Sequence, residues 1–258
     1  MVADVLFQAG RMADRISRTT TYLAAGTRRL AEIQADHARA WDRFYAKHQG
    51  QDTRLLPWEE ECLARVVTTG AEVLIVGCGS GRDLLALVER GCLVTGVDPS
   101  GEGIAIAERF LRARGTPAKL IHGFFEDTPI PHVFDVVIFS YYCYATIPMA
   151  SRRVGALKKA AALVNPGGHV IVSHAWGIQP PRATLVRLGR IAGALAGSDW
   201  RLEPGDLVSD NRTGESSLSF THAFEDGELE RETAAANLRS VSRHIDGDHT
   251  VVAVLTRA

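Results

Sequence analysis

The sequence predicts an α/β fold, a doubly wound, mostly parallel sheet with helices on both faces, and three observations carry that prediction. Val73–Val76 is a short apolar run rich in β-branched residues, as a buried parallel strand should be. It opens directly into Gly77-Cys78-Gly79-Ser80-Gly81, then Arg82-Asp83 and an apolar-periodic helix (Leu84, Leu85, Leu87, Val88) that Gly91 stops. A second strand, Leu93–Val97, ends in Asp98. Phe134–Phe139 and His169–Ser173 repeat the strand pattern, with a helix between them. The sequence then closes on Leu238–Ile245 and Thr250–Thr256 with Asp246-Gly247-Asp248 between, a hairpin signal.

Strand, glycine loop, helix, strand and acidic residue together form a nucleotide-binding βαβ unit. Glycines let backbone approach a ligand that a Cβ would exclude. The helix N-terminus adds free N–H groups and partial positive charge, suited to a carboxylate or phosphate. Asp98, at the carboxyl end of its strand, can accept both hydroxyls of a ribose. The dinucleotide fingerprint GxGxxG is not met, because Arg82 stands where its third glycine belongs. The plain structural reading is a glycine turn with no ligand; spacing, strand context and Asp98 together speak against it.

The pattern G-x-G-x-G followed by Arg-Asp, with a second strand reading VTGVDPS, resembles class I S-adenosylmethionine-dependent methyltransferases. It is similar in particular to small-molecule members reading GCGxGRD…L…GxxVTGVDxS. The resemblance spans about residues 40–258 and leaves 1–39 outside. It implies a Rossmann-like sheet of seven strands with a terminal antiparallel hairpin, and S-adenosylmethionine as cofactor. It implies that Gly77, Gly79 and Gly81 line the cofactor, with Cys78 and Pro99 beside them, and that Asp98 holds the ribose. Ser140, at the end of the fourth strand, joins that lining. Where the family usually places an acidic residue for the adenine amine, this chain has Phe124. Phe125 is then the residue to sandwich the ring and Glu126 or Asp127 to take the amine, unless the loop is shifted.

Composition bounds the function. The chain has 258 residues, 46% of them hydrophobic and 23% charged, as in a globular protein with ample core. A formal net charge of −1 gives no overall drive toward nucleic acid or an anionic membrane. No apolar run approaches the roughly 18–20 residues needed to cross a bilayer. Arg11, Asp14 and Arg15 interrupt the first apolar stretch, which excludes a signal-peptide core. Cys62, Cys78, Cys92 and Cys143 form no metal-ligand spacing, so no metal is expected and a reducing cytoplasm is the expected home.

Residues 1–60 are expected to form a helical N-terminal cap, and 61–258 the methyltransferase domain. Val5, Leu6, Met12 and Ile16 make an incomplete apolar stripe, with arginines on other faces. That suits packing on the protein's own domain, a homodimer through the N-terminal helices, or a membrane surface. A second helix is expected over about 22–48. Trp41 and Tyr45 share a helix face. With Trp58 they match a W-D-x-x-Y…P-W lead-in of the family, whose aromatics close over cofactor and acceptor; core aromatics are the equal alternative.

Tyr141 and Tyr142 follow the fourth strand, where related enzymes bring methyl and acceptor together. They are candidates to orient the acceptor or surround the sulfonium, or else they pack beside the strand end. Asn165-Pro166-Gly167-Gly168 reads as a helix-to-strand turn. His174, just past the fifth strand, titrates near neutrality and is a candidate general base, or a loop histidine simply hydrogen-bonded. His222 is a weaker one. About 175–214 is the expected substrate-cap insertion, with a helix over Ala183–Leu195 and a mobile loop over 206–214. The expected function is methyl transfer to an oxygen or nitrogen of a small molecule. Kept beside it are a dehydrogenase, a nucleic-acid or protein methyltransferase, and a fold retained for binding without catalysis.

Overall fold

A computed structural model of the chain describes residues 2–48, 54–116, 118–210, 217–246 and 250–258. The chain forms two compact units: residues 41–178 with 224–258, and residues 1–40 with 179–223.

In the larger unit, seven strands are ordered β3-β2-β1-β4-β5-β9-β8. β1 (Glu72–Val76), β2 (Leu93–Asp98), β3 (Lys119–His122), β4 (Phe134–Phe139) and β5 (Val164–Ala175) run parallel. β9 (Thr250–Arg257) pairs antiparallel with β5, and β8 (Leu238–Asp246) antiparallel with β9. This is the doubly wound sheet with a terminal hairpin that the sequence predicts. Residues 247–249 of the expected turn lie outside the described residues.

Alternation along each strand builds two cores. Leu74 and Val76 of β1, with Val137 and Phe139 of β4, face one side of the sheet. Val73 and Ile75, with Val136 and Ile138, face the other. Val73, Leu74 and Ile75 are all fully buried, which is why these strands read as continuous apolar runs. The chain runs outward from β1 to β3 and returns to β4, so the strand order reverses between β1 and β4. Ligands of open α/β sheets bind in the crevice at such a reversal, outside the carboxyl ends of the strands.

The helices begin and end where local chemistry dictates. α3 (Pro57–Val66) places Pro57 at its first position, where a missing N–H costs nothing. α4 (Arg82–Glu89) starts from Gly81 in the left-handed region (φ 94°). α5 (Gly101–Arg114) is capped by Ser100, whose Oγ accepts from the Gly103 N–H at 3.0 Å, and closed by Gly115 at φ 62°. α6 (Ala150–Leu163) and α8 (Glu228–Ala235) flank the hairpin side.

β5 differs from its predicted bounds. It begins at Val164, and Asn165–Gly168 form an irregularity inside the β4–β5 ladder, where Phe134 pairs Val164 and Val136 already pairs His169. Asp135 holds that bulge by accepting from Asn165 Nδ2 at 3.0 Å and from the Glu72 N–H at 2.9 Å. At its other end β5 runs on to Ala175, so His174 lies within the strand, paired with Val251, and not beyond it.

The smaller unit contains α1 (Val2–Thr27), the first part of α2 (Leu30–Lys47), α7 (Ala183–Ala196) and a two-stranded ladder of β6 (Asp206–Asp210) and β7 (Leu218–His222). In sequence the two units meet at Ala40/Trp41, and residues 179–223, which include most of the expected insertion, pack with the N-terminal helices. The single helix expected over 22–48 is broken at Arg28-Arg29. Gly26 meets α7 so closely that a Cβ there would lie 1.9 Å from the Gly189 carbonyl oxygen. Asp206–Asp210, expected as loop, is strand; residues 211–216 lie outside the described residues. His222 Nδ1 pairs with Asp206 Oδ1 at 2.7 Å, both buried, which accounts for that histidine structurally. No helix among the described residues is long and apolar enough to cross a membrane.

Candidate functional site

The carboxyl end of β1 turns into the glycine loop through three positive φ angles: 77° at Gly77, 50° at Gly79 and 94° at Gly81. Non-glycine residues pay for that region, so the loop is built from the residue type that does not. Close approach adds a second requirement. A Cβ at Gly77 would lie 2.8 Å from Cys143 Cβ, and one at Gly79 only 2.0 Å from the Tyr45 hydroxyl. The Gly77 N–H donates to the Val97 carbonyl at 2.8 Å, anchoring the loop to β2. Cys78 is buried, and a Cβ at Gly96 would lie 2.7 Å from its Sγ, so it fills space beneath the loop.

Asp98 ends β2 with both carboxylate oxygens engaged. Oδ2 accepts from the Gly79 N–H at 2.8 Å and Oδ1 from the Ser100 N–H at 2.7 Å. Each oxygen keeps a lone pair for a further donor. Burial raises its pKa to about 6; the Ser100 and Gly79 N–H groups pull it down, and Asp42 pushes it further up. Pro99 follows, its carbonyl 3.0 Å from His122 Nε2.

The end of α2 docks on this corner. Asp42 Oδ1 accepts from Ser100 Oγ at 2.6 Å and from the Glu102 N–H at 3.0 Å, a carboxylate at the positive end of α5. That places Tyr45 over the glycine loop, where its hydroxyl receives the Ser80 N–H. Trp41 stacks on Tyr45 at 5.6 Å between centroids. A Cβ at Gly103 would lie 3.0 Å from the Tyr45 ring, so that glycine admits the aromatic. Burial, with Asp98, Cys78 and Asp83 nearby, pushes the phenol far above its ordinary value and keeps it protonated.

A chain of charged contacts that sequence reasoning missed supports the loop from the other side. Arg82 clamps Glu59 in a fork, Nη1–Oε2 at 2.5 Å and Nη2–Oε1 at 2.6 Å, and reaches Asp83 Oδ1 at 2.5 Å. Ser140 Oγ donates to Asp83 Oδ2, tying the end of β4 to the start of α4. Burial, then the Glu59 charge, raises Asp83 against the pull of Arg82. The Arg-Asp pair after the loop was the available signal; its partner Glu59 lies 23 residues upstream.

The other predicted residues fall in two groups. Tyr141 (φ 28°) and Tyr142 (φ 61°) form a strained corner just past β4, stacked at 4.5 Å, with Tyr141 half exposed. Tyr142 Oη lies 2.5 Å from Thr250 Oγ1, which pins the corner to β9. Two adjacent non-glycine residues in the left-handed region cost on the order of 1–3 kcal/mol each and cluster at functional sites. Trp58, by contrast, is buried with Leu55, Leu63 and Val73. Phe125 is also core: 2% exposed, edge-on to Phe139 at 5.5 Å, with the Lys159 ammonium 4.7 Å from its ring centroid. Glu126 is half-buried, 3.4 Å from Arg152, and burial raises its pKa. His174 is 3% exposed, its Nδ1 donating to the Ala175 carbonyl at 2.9 Å and its ring 4.6 Å from Phe224; burial lowers its pKa.

Around the loop the balance of charge is negative. Asp98, Asp83, Glu59 and Asp42 lie around it, and the Arg82 guanidinium beside them is held by two carboxylates. Such a cradle suits a nucleoside that carries positive charge and offers ribose hydroxyls. It suits the pyrophosphate of a dinucleotide poorly.

A glycine-looped, doubly wound sheet ending in an antiparallel hairpin defines the class I, Rossmann-like methyltransferase fold. Residues 73–168 match the family model described as a methyltransferase domain. Ubiquinone biosynthesis O-methyltransferase of Vibrio vulnificus is 32% identical over 106 residues, which is 40% of this chain and 43% of that protein. Glycine N-methyltransferase of Rattus norvegicus is 31% identical over 180 residues, 63% of this chain and 60% of the relative. Among solved structures, the DhpI–SAH complex superposes with a TM-score of 0.62 at 15% identity, covering 88% of this chain and 98% of that one. The chain thus spans less than half the length of the Vibrio relative. Residues 73–168 are therefore a methyltransferase domain, and the fold around them is that of S-adenosylmethionine-dependent methyltransferases.

Proposed function

We propose that this protein binds S-adenosylmethionine at the glycine loop and transfers its methyl group to an oxygen or nitrogen of a small-molecule acceptor. The observation that carries this reading is the acidic cradle: Asp98 at the carboxyl end of β2, bonded to the Gly79 N–H of a loop whose Gly77 and Gly79 leave no room for a Cβ. When bound, S-adenosylmethionine supplies a methyl group already activated by its sulfonium charge. The protein's share is positioning and exclusion of water. Asp98 accepts the ribose hydroxyls, and the surrounding carboxylates favour a cationic ligand. Tyr45, protonated and stacked on Trp41, covers the loop. The strained Tyr141-Tyr142 corner orients the acceptor, since Tyr141 is exposed at the strand end while Tyr142 is anchored through Thr250.

His174, at the end of β5 beside Phe224, is the candidate base: burial lowers its pKa, so its ring is neutral and can accept the acceptor's proton where the acceptor does not ionise by itself. Both an O-methyltransferase and an N-methyltransferase of small molecules stand among the relatives, which supports the acceptor class and leaves oxygen and nitrogen open. All four cysteines are free thiols, in keeping with the cytoplasm.

Calorimetric titration with S-adenosylmethionine, S-adenosylhomocysteine and NADH tests the reading. Both sulfur nucleosides bind and NADH does not. Asp98→Ala loses roughly 1.5–3 kcal/mol, the scale of hydrogen bonds to a charged group. Absence of binding to either nucleoside refutes the proposal. Binding without turnover across a panel of hydroxyl and amine acceptors replaces it with a non-catalytic role.

A further inference from the structure

We infer that this protein reads the base of its nucleoside by stacking on Phe124 and Pro99, with no side chain accepting from the exocyclic amine, so that a 6-oxopurine is taken as readily as adenine. The inference rests on the proposed binding of S-adenosylmethionine, with Asp98 on the ribose hydroxyls.

The ribose sets the direction. When a ribose is held through its 2′ and 3′ hydroxyls, the 5′ substituent and the base leave from opposite ends of the ring. The 5′ side points to the glycine loop, which follows β1. The base then points the other way, toward β3, because β2 lies between β1 and β3. His122 ends β3 level with Asp98. Its Nε2–H donates to the Pro99 carbonyl at 3.0 Å, and the Gly123 N–H donates to the Asp98 carbonyl at 2.9 Å. Pro99 and Phe124 therefore border this end of the crevice, and both are half-buried.

The turn that carries Phe124 is firmly held. The Phe124 carbonyl accepts from the N–H groups of Asp127 and Thr128 at 3.1 and 3.0 Å. Lys159 of α6 donates to the carbonyls of Phe125 and Thr128. Phe125 is buried in the cluster that holds Val76, Val97 and Phe139, at the ends of β1, β2 and β4. The two carboxylates that follow are engaged by α6, where Arg152 reaches Glu126 at 3.4 Å and Asp127 at 2.9 Å. Next to the Asp98 tether the turn presents a phenyl ring.

Such a ring binds the face of a base, and every purine has one. Telling an amine from a carbonyl at the six position takes a hydrogen-bonding partner at that edge; an apolar surface discriminates weakly.

Calorimetric titration with S-adenosylhomocysteine and its 6-oxo analogue, S-inosylhomocysteine, tests this. The wild type binds the two within about tenfold of each other. Phe124→Ala weakens both by about tenfold or more, and by similar factors, as the loss of a stacking ring does. Phe124→Asp places an acceptor for the amine beside the base and repels the 6-oxo group, raising the preference for the adenosyl compound at least about tenfold. A larger wild-type preference for the adenosyl compound overturns this inference alone, and that comparison needs no variant. Unchanged affinities in Phe124→Ala overturn it as well. Binding of neither compound refutes the methyltransferase reading and this inference with it.

Discussion

Replacing Gly79 by alanine tests the loop's construction at its tightest point. Two costs follow from the structure. The residue has φ 50°, a conformation that costs an L-residue roughly 1–2 kcal/mol. The new Cβ would also lie 2.0 Å from the Tyr45 hydroxyl and 2.8 Å from its Cζ, far inside van der Waals contact. Tyr45 cannot yield freely, because Trp41 stacks on it, Gly103 bounds its ring and Asp42 fastens the same helix turn to α5. Overpacking of this kind adds roughly 1–3 kcal/mol. Gly79→Ala therefore loses about 2–5 kcal/mol in urea unfolding followed by tryptophan fluorescence, and binds S-adenosylmethionine at least about tenfold more weakly. The double variant Gly79→Ala/Tyr45→Ala separates the terms. With the phenol gone, the alanine costs only the backbone strain, so the cycle shows a coupling of roughly 1–3 kcal/mol. Additive single and double variants would show that Tyr45 does not cover the loop, and would refute the reasoning.

Two further outcomes follow from the site's charges. Burial raises Asp98 to about 6, so between roughly pH 4 and 6 the native protein holds a proton the unfolded chain has released. Its contribution to stability is then greatest below the unfolded value and diminishes as pH rises through the folded one. Nucleoside binding has the opposite sense, because the ribose hydroxyls need the ionised carboxylate. The measured affinity falls up to about tenfold per pH unit below pH 6, and Asp98→Asn removes that dependence; a flat profile in the wild type counts against it. Arg82→Ala strands Glu59 and Asp83 without their cation. Breaking a buried pair costs about 3–5 kcal/mol, and because Arg82 remains a quarter exposed the loss is roughly 2–4 kcal/mol by denaturant titration. Arg82→Ala/Glu59→Gln recovers part of it.

Local sequence determined the parts of this protein whose cause is local. Val73–Val76, the glycine loop and Asp98 lie within one βαβ stretch, so strand, turn and acidic residue could be placed, and with them the sheet. The closing hairpin was legible for the same reason: two apolar strands flank a short polar turn. Only the tertiary structure decided what depends on distant partners. Asp42 and Ser100 are 58 residues apart, Arg82 and Glu59 23, and no periodicity announces that they meet. Trp58 and Phe125 are aromatic in the sequence whatever they face; their burial, Trp58 with Leu63 and Phe125 edge-on to Phe139, comes from the fold. At Asn165–Gly168 the ladder continues through a bulge where a proline-glycine signal reads a turn, and pairing with β9 carries β5 past His174 to Ala175. The division of the chain at Ala40 was invisible because residues 179–223 join the first helices through glycine contacts at Gly26, Gly189 and Gly193. A side chain's chemistry is written in the sequence, but its environment is set by whichever residues the fold brings against it.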